Sequence, residues 1–122
     1  MIRHAVYALD KILPLIKERA VPVELDGRRV AVGVKRLVVF ATKGIACVTC
    51  KVPGVYFALE AHKHKKLGVL APHLNLYTAS HVLMTIDHIR ALADGGGKEM
   101  DNLQTMCSPC NRKKGSIKGK ER

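Results

Sequence analysis

The first segment of the chain has the hydrophobic spacing of an amphipathic helix. Between Ile2 and Arg19, apolar residues recur at intervals of three and four, as expected when one helical face packs on a core. These residues are Val6, Leu9, Leu13 and Ile16. Because Pro14 would remove a helical donor and clash with the preceding turn, we expect one helix that ends near Leu13, or two short helices that meet there.

The middle of the chain has the pattern of several short strands. Val21–Leu25 and Arg29–Phe40 are rich in β-branched residues, and Asp26-Gly27 between them is typical of a hairpin turn. They predict a small antiparallel unit. Further strands are predicted at Val55–Leu59, His73–Thr78 and Val82–Ile89, with a turn at Ala79-Ser80 and a basic loop at His62–Lys66.

The last third of the chain combines a loop, a strand and a helix. Asp94–Gly97 contains three consecutive glycines and predicts a flexible loop. Asn102–Met106 predicts a short strand, and Asn111–Lys120 predicts a basic helix that Gly115 and Gly119 weaken. The predicted fold class is therefore α+β, with an N-terminal helix and short antiparallel strands.

Length and charge narrow the function classes. The chain has 122 residues, enough for one domain, and its 48% hydrophobic and 25% charged residues argue against disorder or a fibre. The 21 Lys and Arg against 10 Asp and Glu give a net charge of +11, which favours a polyanionic partner. Because Tyr and Phe together number only five and Trp is absent, we expect phosphate contact rather than a base-stacking platform.

The sequence lacks the signals of a membrane or exported protein. No stretch approaches the roughly 18 uninterrupted apolar residues of a membrane helix, and the first residues alternate charged with apolar positions, unlike a secretory signal. We therefore expect no membrane partner and a cytoplasmic location. In a reducing cytoplasm, paired cysteines serve as metal ligands more readily than as disulfides.

Four cysteines form two C-x-x-C pairs, Cys47 with Cys50 and Cys107 with Cys110. A C-x-x-C turn brings two thiolates to adjacent corners of a tetrahedron, so we predict one structural Zn²⁺ site that joins two distant parts of the chain. A site with four thiolates is closed to water and would not itself perform chemistry. A redox dithiol is the alternative, although neither pair opens a helix in a βαβ setting.

Asp87 and His88 supply the candidate chemistry. A carboxylate is a hard oxygen ligand suited to Mg²⁺ or Mn²⁺, and an imidazole with an ordinary pKa of about 6.5 can accept a proton from water. An isolated Asp-His pair is more often structural than catalytic, so it needs support from its surroundings.

Positive charge is concentrated at the C-terminus. From residue 107 onward, six basic residues face one acidic residue. We predict that Arg112, Lys113 and Lys114 contact DNA phosphates without reading bases. For the basic tail over residues 118–122, phosphate contact and a solvated tail are equally open.

Three stretches of the sequence together resemble the motif of the HNH endonuclease family. They are LMTIDHI at Leu83–Ile89, Gly95-Gly96, and NLQTMCSPCNRKKG at Asn102–Gly115. Their order, spacing and residue types fit the motif. The two C-x-x-C zinc knuckles, together with Leu74–Tyr77, are similar to small phage-type members of that family.

The resemblance implies a ββα-metal fold, with Asp87 and His88 on one strand, a second strand from Asn102 and a helix entered at Asn111. It implies that His88 is the general base, and that Asp87 and Asn111 hold one divalent ion. Asn102 would tie the loop so that His88 is correctly aimed. Hydrolysis would leave 5′-phosphate and 3′-hydroxyl ends.

The chain departs from the motif that gives the family its name. Asp87 replaces the first histidine, Asn111 replaces the last, and no histidine follows residue 88. Oxygen ligands of this kind favour Mg²⁺ or Mn²⁺ over zinc or nickel at the catalytic site.

We therefore predict a single HNH endonuclease domain over residues 1–122 that nicks or cleaves double-stranded DNA with Mg²⁺ or Mn²⁺. Within it, residues 1–44 would form the N-terminal helix and strands, and residues 45–117 the zinc-stabilised core. The alternative is a catalytically inactive zinc-knuckle protein that binds nucleic acid. The phage-like resemblance implies action in a bacterial host cytoplasm, with a packaging or replication protein as a partner.

Overall fold

The N-terminal segment is a strand followed by a single helical turn. The computed structural model describes the backbone of residues 1–121 and the side chains of residues 1–115. Strand β1 spans Ile2–Ala8, helix α1 spans Leu9–Ile12, and a 3₁₀ turn follows at Leu13–Leu15. The helix predicted from Ile2 is therefore wrong over β1.

Long-range pairing explains this difference. The backbone of β1 is hydrogen-bonded to residues 56–61 of a later strand, a partner that no local pattern reveals. Val6, part of the supposed apolar helical stripe, is 54% exposed, whereas its neighbour Tyr7 is buried. The interruption predicted at Pro14 is confirmed, because Pro14 lies in the 3₁₀ turn.

A hairpin and a helix follow. Strands β2 (Val23–Leu25) and β3 (Arg28–Val30) pair antiparallel around Asp26-Gly27, which confirms the predicted hairpin. The strand predicted over Arg29–Phe40 ends at Val30, and Lys35–Lys43 is instead helix α2. The β-branched residues of this segment favoured a strand, but packing determines the helix, since α2 buries four consecutive apolar residues. They are Leu37, Val38, Val39 and Phe40.

The central sheet has three antiparallel strands. Strand β4 (Gly54–Ala61) lies between β1 and β7 (His73–Thr78). The short strands β5 (Lys63–His64) and β6 (Gly68–Val69) form a hairpin where a basic loop was predicted. The prediction of strands at Val55–Leu59 and His73–Thr78 is confirmed, and so is the turn at residues 79–80.

The hydrophobic core lies on one face of this sheet. Phe57 and Leu59 of β4, with Leu74 and Leu76 of β7, alternate with residues that point to the other face. The buried residues of α2 and Ile12 of α1 cover them. The opposite face carries Tyr56, Glu60, Asn75 and Tyr77.

The C-terminal part is a ββα unit, as predicted. Strands β8 (Met84–His88) and β9 (Leu103–Cys107) pair antiparallel, and helix α3 (Ser108–Glu121) follows directly. The helix begins three residues earlier than Asn111, the predicted entry. None of the helices that the structure describes has the length and apolar character needed to cross a membrane. The side chains of the predicted basic tail, residues 118–122, lie outside the described residues.

Candidate active site and metal centre

The four cysteines come from two turns that the fold brings together. Cys47 and Cys50 lie in a turn before β4, closed by hydrogen bonds from Cys47 N to Val52 O at 2.9 Å and from Lys51 N to Cys47 O at 2.9 Å. Cys107 ends β9, and Cys110 lies in the first turn of α3. Each pair thus spans a sharp reversal of the chain, which turns both sulfurs toward the same point.

The four sulfurs have the separation that a tetrahedral metal site requires. They all lie within 4.8 Å of one another, and Cys50 Sγ is 3.7 Å from Cys107 Sγ. Zn–S bonds of about 2.3 Å at tetrahedral angles place neighbouring sulfurs about 3.8 Å apart. All four cysteines are free rather than disulfide-bonded. The cluster could therefore hold a metal ion such as zinc.

The thiols do not ionise alike. Burial would raise the pKa of Cys47, but backbone hydrogen bonds from Cys107, Cys50 and Thr49 outweigh burial and lower this pKa to about 6. The adjacent Cys107 thiol raises the pKa of Cys110 to about 12. One thiolate thus forms readily while its neighbour resists a second negative charge, so a bound cation would stabilise the fully ionised cluster.

Further hydrogen bonds join the two parts of the chain beside the cysteines. Val48 N donates to Thr105 O at 3.0 Å, and Thr105 Oγ1 donates to Gly44 O at 2.6 Å. Thr105 is buried in β9. The turn before β4 is thus attached to the ββα unit by both backbone and side-chain contacts.

Helix α3 presents one face to strand β8. Asn111 Nδ2 donates to Thr85 Oγ1 at 2.9 Å and to Ile86 O at 3.3 Å. Lys114, three residues further along the same helical face, donates to His88 O at 3.0 Å. The structure therefore brings Asn111 next to the strand that carries Asp87.

The Asp87 carboxylate is paired with a lysine side chain. The Lys114 ammonium forms a salt bridge with Asp87 Oδ2, and Gln104 Nε2 of β9 donates to the same oxygen at 3.0 Å. The side chains of Lys114 and Asp87 are only 24% and 13% exposed. Asp87 is thus a shielded carboxylate that faces α3.

His88 occupies the end of β8. Its imidazole is half-buried and forms no hydrogen bond with the residues that the structure describes. Consecutive residues of a strand point to opposite faces, so His88 and Asp87 leave the backbone in different directions. The hydrogen bond from Ile89 N to Asn102 O at 2.8 Å closes the hairpin immediately after His88.

Asn102 holds the loop between the two strands of the hairpin. Its Oδ1 accepts from Arg90 N at 2.8 Å, while its Nδ2 donates to Arg90 O at 2.9 Å and to Gly97 O at 2.7 Å. Gly96 packs so closely that a Cβ there would lie 1.9 Å from Arg90 O. Lys35 of α2 also donates to Lys98 O at 2.6 Å. The glycine-rich loop is therefore fixed from several sides.

The three basic residues predicted to contact DNA differ in their surroundings. Arg112 and Lys113 are exposed on the outside of α3, whereas Lys114 turns toward Asp87. Sequence reasoning missed this second role of Lys114, and it missed Thr85 and Gln104. The spacing of three between Asn111 and Lys114 was the available signal, because residues so spaced share a helical face.

This constellation matches a known family of nucleases. Residues 76–116 match the family model described as HNH endonuclease. The match covers about a third of the chain. The matched stretch contains β8, β9 and the start of α3, and thus the residues that surround Asp87 in the part of the chain that the structure describes.

Curated relatives share a short part of the chain. Over 38 residues it is 45% identical to the DNA annealing helicase and endonuclease ZRANB3 of Mus musculus, and equally to that of Bos taurus. The match covers 30% of this chain and 4% of each relative. No solved structure matches the chain.

Proposed function

We propose that the chain is a metal-dependent HNH endonuclease that hydrolyses phosphodiester bonds in double-stranded DNA, by nicking or by double-strand cleavage. In this proposal His88 is the general base, and Asp87 and Asn111 hold one Mg²⁺ or Mn²⁺ ion. Arg112 and Lys113 contact phosphates. The match of residues 76–116 to the HNH endonuclease model supports the reaction class.

One observation carries the assignment of the site. The same face of α3 that places Asn111 against β8 also places the Lys114 ammonium on the Asp87 carboxylate. A shielded carboxylate that already accommodates a positive charge, beside an amide on the facing helix, is a suitable environment for a small divalent cation.

The donor set fits Mg²⁺ or Mn²⁺. Asp87 offers a carboxylate oxygen, and because Asn111 uses Nδ2 toward β8, its carbonyl oxygen Oδ1 is left without a donor among the described residues. Both ions prefer oxygen ligands, keep several waters and accept phosphate oxygens. When bound, such an ion would neutralise charge on the phosphoryl group and on the leaving oxygen.

The residues of the chain itself would divide the remaining tasks. The His88 imidazole, which has no partner among the described residues, is available to take a proton from a water molecule at one of its ring nitrogens. Because His88 and Asp87 leave β8 in different directions, they would approach a phosphate from two sides, as in-line displacement requires. Asn102 would keep the end of β8 in place through its three hydrogen bonds.

We further propose that the four cysteines hold a structural Zn²⁺ ion. With four sulfur ligands the ion would have no open position, so it would stabilise the fold and take no part in hydrolysis. Double-stranded DNA as substrate, a phage origin, a bacterial cytoplasmic location and a packaging or replication partner stay predictions.

The deciding experiment is cleavage of supercoiled plasmid by protein that is freed of loosely bound divalent ions by gel filtration and keeps its Zn²⁺, with Mg²⁺ or Mn²⁺ added back, using wild type beside His88→Ala. Cleavage by wild type alone, and only with added metal, would support the nuclease and its base together. The product form would distinguish one cut from two. DNA binding without cleavage by either protein would favour the inactive zinc-knuckle binder instead.

A further inference from the structure

The outer face of the central sheet carries two adjacent tyrosine rings with an arginine in contact with both. We define Arg3, Tyr56, Tyr77 and His81 as the tyrosine–arginine cluster. Tyr56 and Tyr77 are cross-strand partners, and their rings stack with centroids 5.4 Å apart. The Arg3 guanidinium lies 5.6 Å from the Tyr56 centroid and 5.0 Å from the Tyr77 centroid. His81 Nδ1 is 2.9 Å from the Tyr56 hydroxyl.

A buried carboxylate fixes this cluster from below. Glu60 is 3% exposed; its Oε2 accepts from Arg3 Nε at 2.9 Å, and its Oε1 accepts from Tyr77 OH at 2.5 Å and Asn75 Nδ2 at 2.8 Å. Burying a charge is unfavourable unless such donors surround it. The network therefore orients Arg3 and Tyr77 before any ligand arrives, which lowers the entropy lost on binding.

The cluster is the aromatic surface that the core leaves uncovered. Tyr7, Phe40 and Phe57 are buried in the core, so Tyr56 and Tyr77 are the remaining Tyr and Phe residues of the chain. Both are half-buried, the Arg3 side chain is 40% exposed, and His81 is exposed. The composition alone made base stacking look minor, because it could not show that the rings of Tyr56 and Tyr77 lie side by side and partly exposed.

The charge of this surface favours nucleic acid as its occupant. Arg3 is the charged residue of the cluster and is partly exposed to solvent. The carboxylate that pairs with it, Glu60, is buried beneath the cluster. The whole chain carries a net charge of +11. Aromatic rings beside a guanidinium bind single-stranded nucleic acid because every base has a π-face and lies next to a phosphate.

The cluster is connected directly to the HNH hairpin. The backbone of Tyr77 bridges to Leu83, the residue before β8, and His88 is at the far end of that strand. The five steps from Leu83 to His88, at about 3.3 Å each, place these two residues about 16 Å apart. A short stretch of one DNA strand spans such a distance.

We propose that the tyrosine–arginine cluster stacks an unpaired base of the DNA substrate, a short stretch of strand away from the phosphodiester at His88. A base inside a duplex has both faces covered, so the cluster selects DNA with a single-stranded segment beside the cut. The effect of the cluster on where DNA is cut rests on the proposed endonuclease function. The binding of an unpaired base to the cluster does not depend on that function.

Binding is tested without chelator and without added Mg²⁺ or Mn²⁺, so that metal-dependent cleavage does not occur and the proposed structural Zn²⁺ stays bound. Fluorescence anisotropy compares two labelled single strands of equal length, one of thymidines and one of abasic residues, which carry the same phosphates. Wild type binds the base-bearing strand about tenfold more tightly. Tyr56→Leu abolishes most of that difference, and Tyr56→Phe, which keeps the ring, retains it. The control Lys17→Gln removes one exposed charge and weakens binding to both strands alike.

Equal affinity of wild type for the two strands would overturn the proposal, and so would a Tyr56→Leu protein that keeps the full difference. Circular dichroism shows whether Tyr56→Leu is folded. If it is not, two other comparisons test base stacking: wild type on the two strands, and Arg3→Gln against the control Lys17→Gln. Arg3→Gln is expected to weaken binding to the base-bearing strand more than to the abasic strand.

Cleavage with Mg²⁺ then separates this inference from the proposed function. Wild type is expected to cut a duplex with a single-stranded overhang faster than a blunt duplex, and close to the unpaired segment. Base-dependent binding without any cleavage contradicts the nuclease and leaves the cluster as a DNA-binding site. Cleavage with the same overhang preference in wild type and Tyr56→Leu contradicts the cluster and leaves the nuclease.

Discussion

Lys114 forms a salt bridge with Asp87 across the interface between α3 and β8, and it also donates to the carbonyl oxygen of His88 at 3.0 Å. The ammonium thus neutralises the carboxylate that is proposed to bind a divalent ion. A metal ion that binds Asp87 would therefore compete with Lys114.

Replacement of Lys114 by Met tests this competition. Without metal, Lys114→Met is expected to lower stability by about 1–2 kcal/mol, because a shielded carboxylate loses its charged partner. Added Mn²⁺ should raise the melting temperature of the variant more than that of wild type, because no ammonium competes. Differential scanning fluorimetry measures both effects. Lys113→Met, which removes an exposed charge nearby, is the control, and equal Mn²⁺ shifts in all three proteins would contradict Asp87 as a ligand.

His88→Ala is expected to reduce cleavage by about 10² or more, while DNA binding in the absence of added Mg²⁺ or Mn²⁺ stays unchanged. The reason is that the imidazole has no structural partner among the described residues, so its loss should affect proton transfer more than folding. His4→Ala is the matched control, because His4 of β1 is half-buried and, like His88, forms no side-chain hydrogen bond among the described residues. Near-normal plasmid cleavage by His88→Ala would remove His88 from the role of base.

Cys107→Ser is expected to destabilise the whole fold and to lose zinc. Cys107 is buried and adjoins both β9 and the start of α3, so its loss would disconnect the ββα unit from the turn at Cys47. Metal content by mass spectrometry and the melting temperature check this expectation together. Unchanged values of both would refute a structural zinc site.

Two glycines should respond in opposite ways to alanine. Gly96→Ala is expected to lower stability and cleavage, because its Cβ would lie 1.9 Å from Arg90 O and displace the loop that Asn102 holds. Gly115→Ala has open space around its Cβ and should stabilise α3 by about 1 kcal/mol. Urea unfolding and plasmid cleavage of the two variants test this contrast. A Gly96→Ala protein with normal stability would show that the loop can rearrange at little cost.

Glu60 should make the free energy of unfolding depend on pH in the acidic range. Burial would raise the pKa of Glu60, but hydrogen bonds from Tyr77, Asn75 and Arg3 outweigh burial and hold it below its ordinary value. Its stabilising contribution is therefore present above the unfolded pKa of about 4.3 and is lost as pH falls through the lower folded pKa. Urea unfolding should show a large difference between wild type and Glu60→Gln at neutral pH, and a smaller one below about pH 4. A difference that is constant with pH would contradict this account.

Local patterns predicted the parts of the fold that local chemistry determines. The strands β7 and β8, the hairpin at Asp26-Gly27 and the meeting of four cysteines were all apparent in the sequence. The strand β1 was not, because its partner residues in β4 lie 48 to 59 positions away in the sequence. Nor was α2, whose β-branched residues are held in a helix by packing.

The same limit applies to the site. The hydrogen bonds of Asn102 across the loop agree with the tie that the motif implied, although its effect on His88 stays a prediction. The contact between Lys114 and Asp87 depends on how α3 is rotated against β8, which no single segment encodes. The stacking of Tyr56 on Tyr77 likewise depends on the register between two strands.

Cys110 and Asn111 are consecutive residues of α3, so the cysteine cluster and the proposed catalytic site share one helical turn. One residue inserted between them would rotate Asn111 by about 100° around the helix axis and turn it away from β8. Chain length can therefore change in exposed turns such as the one between β5 and β6, but the interval from Cys107 to Asn111 must be constant in any active relative of this protein.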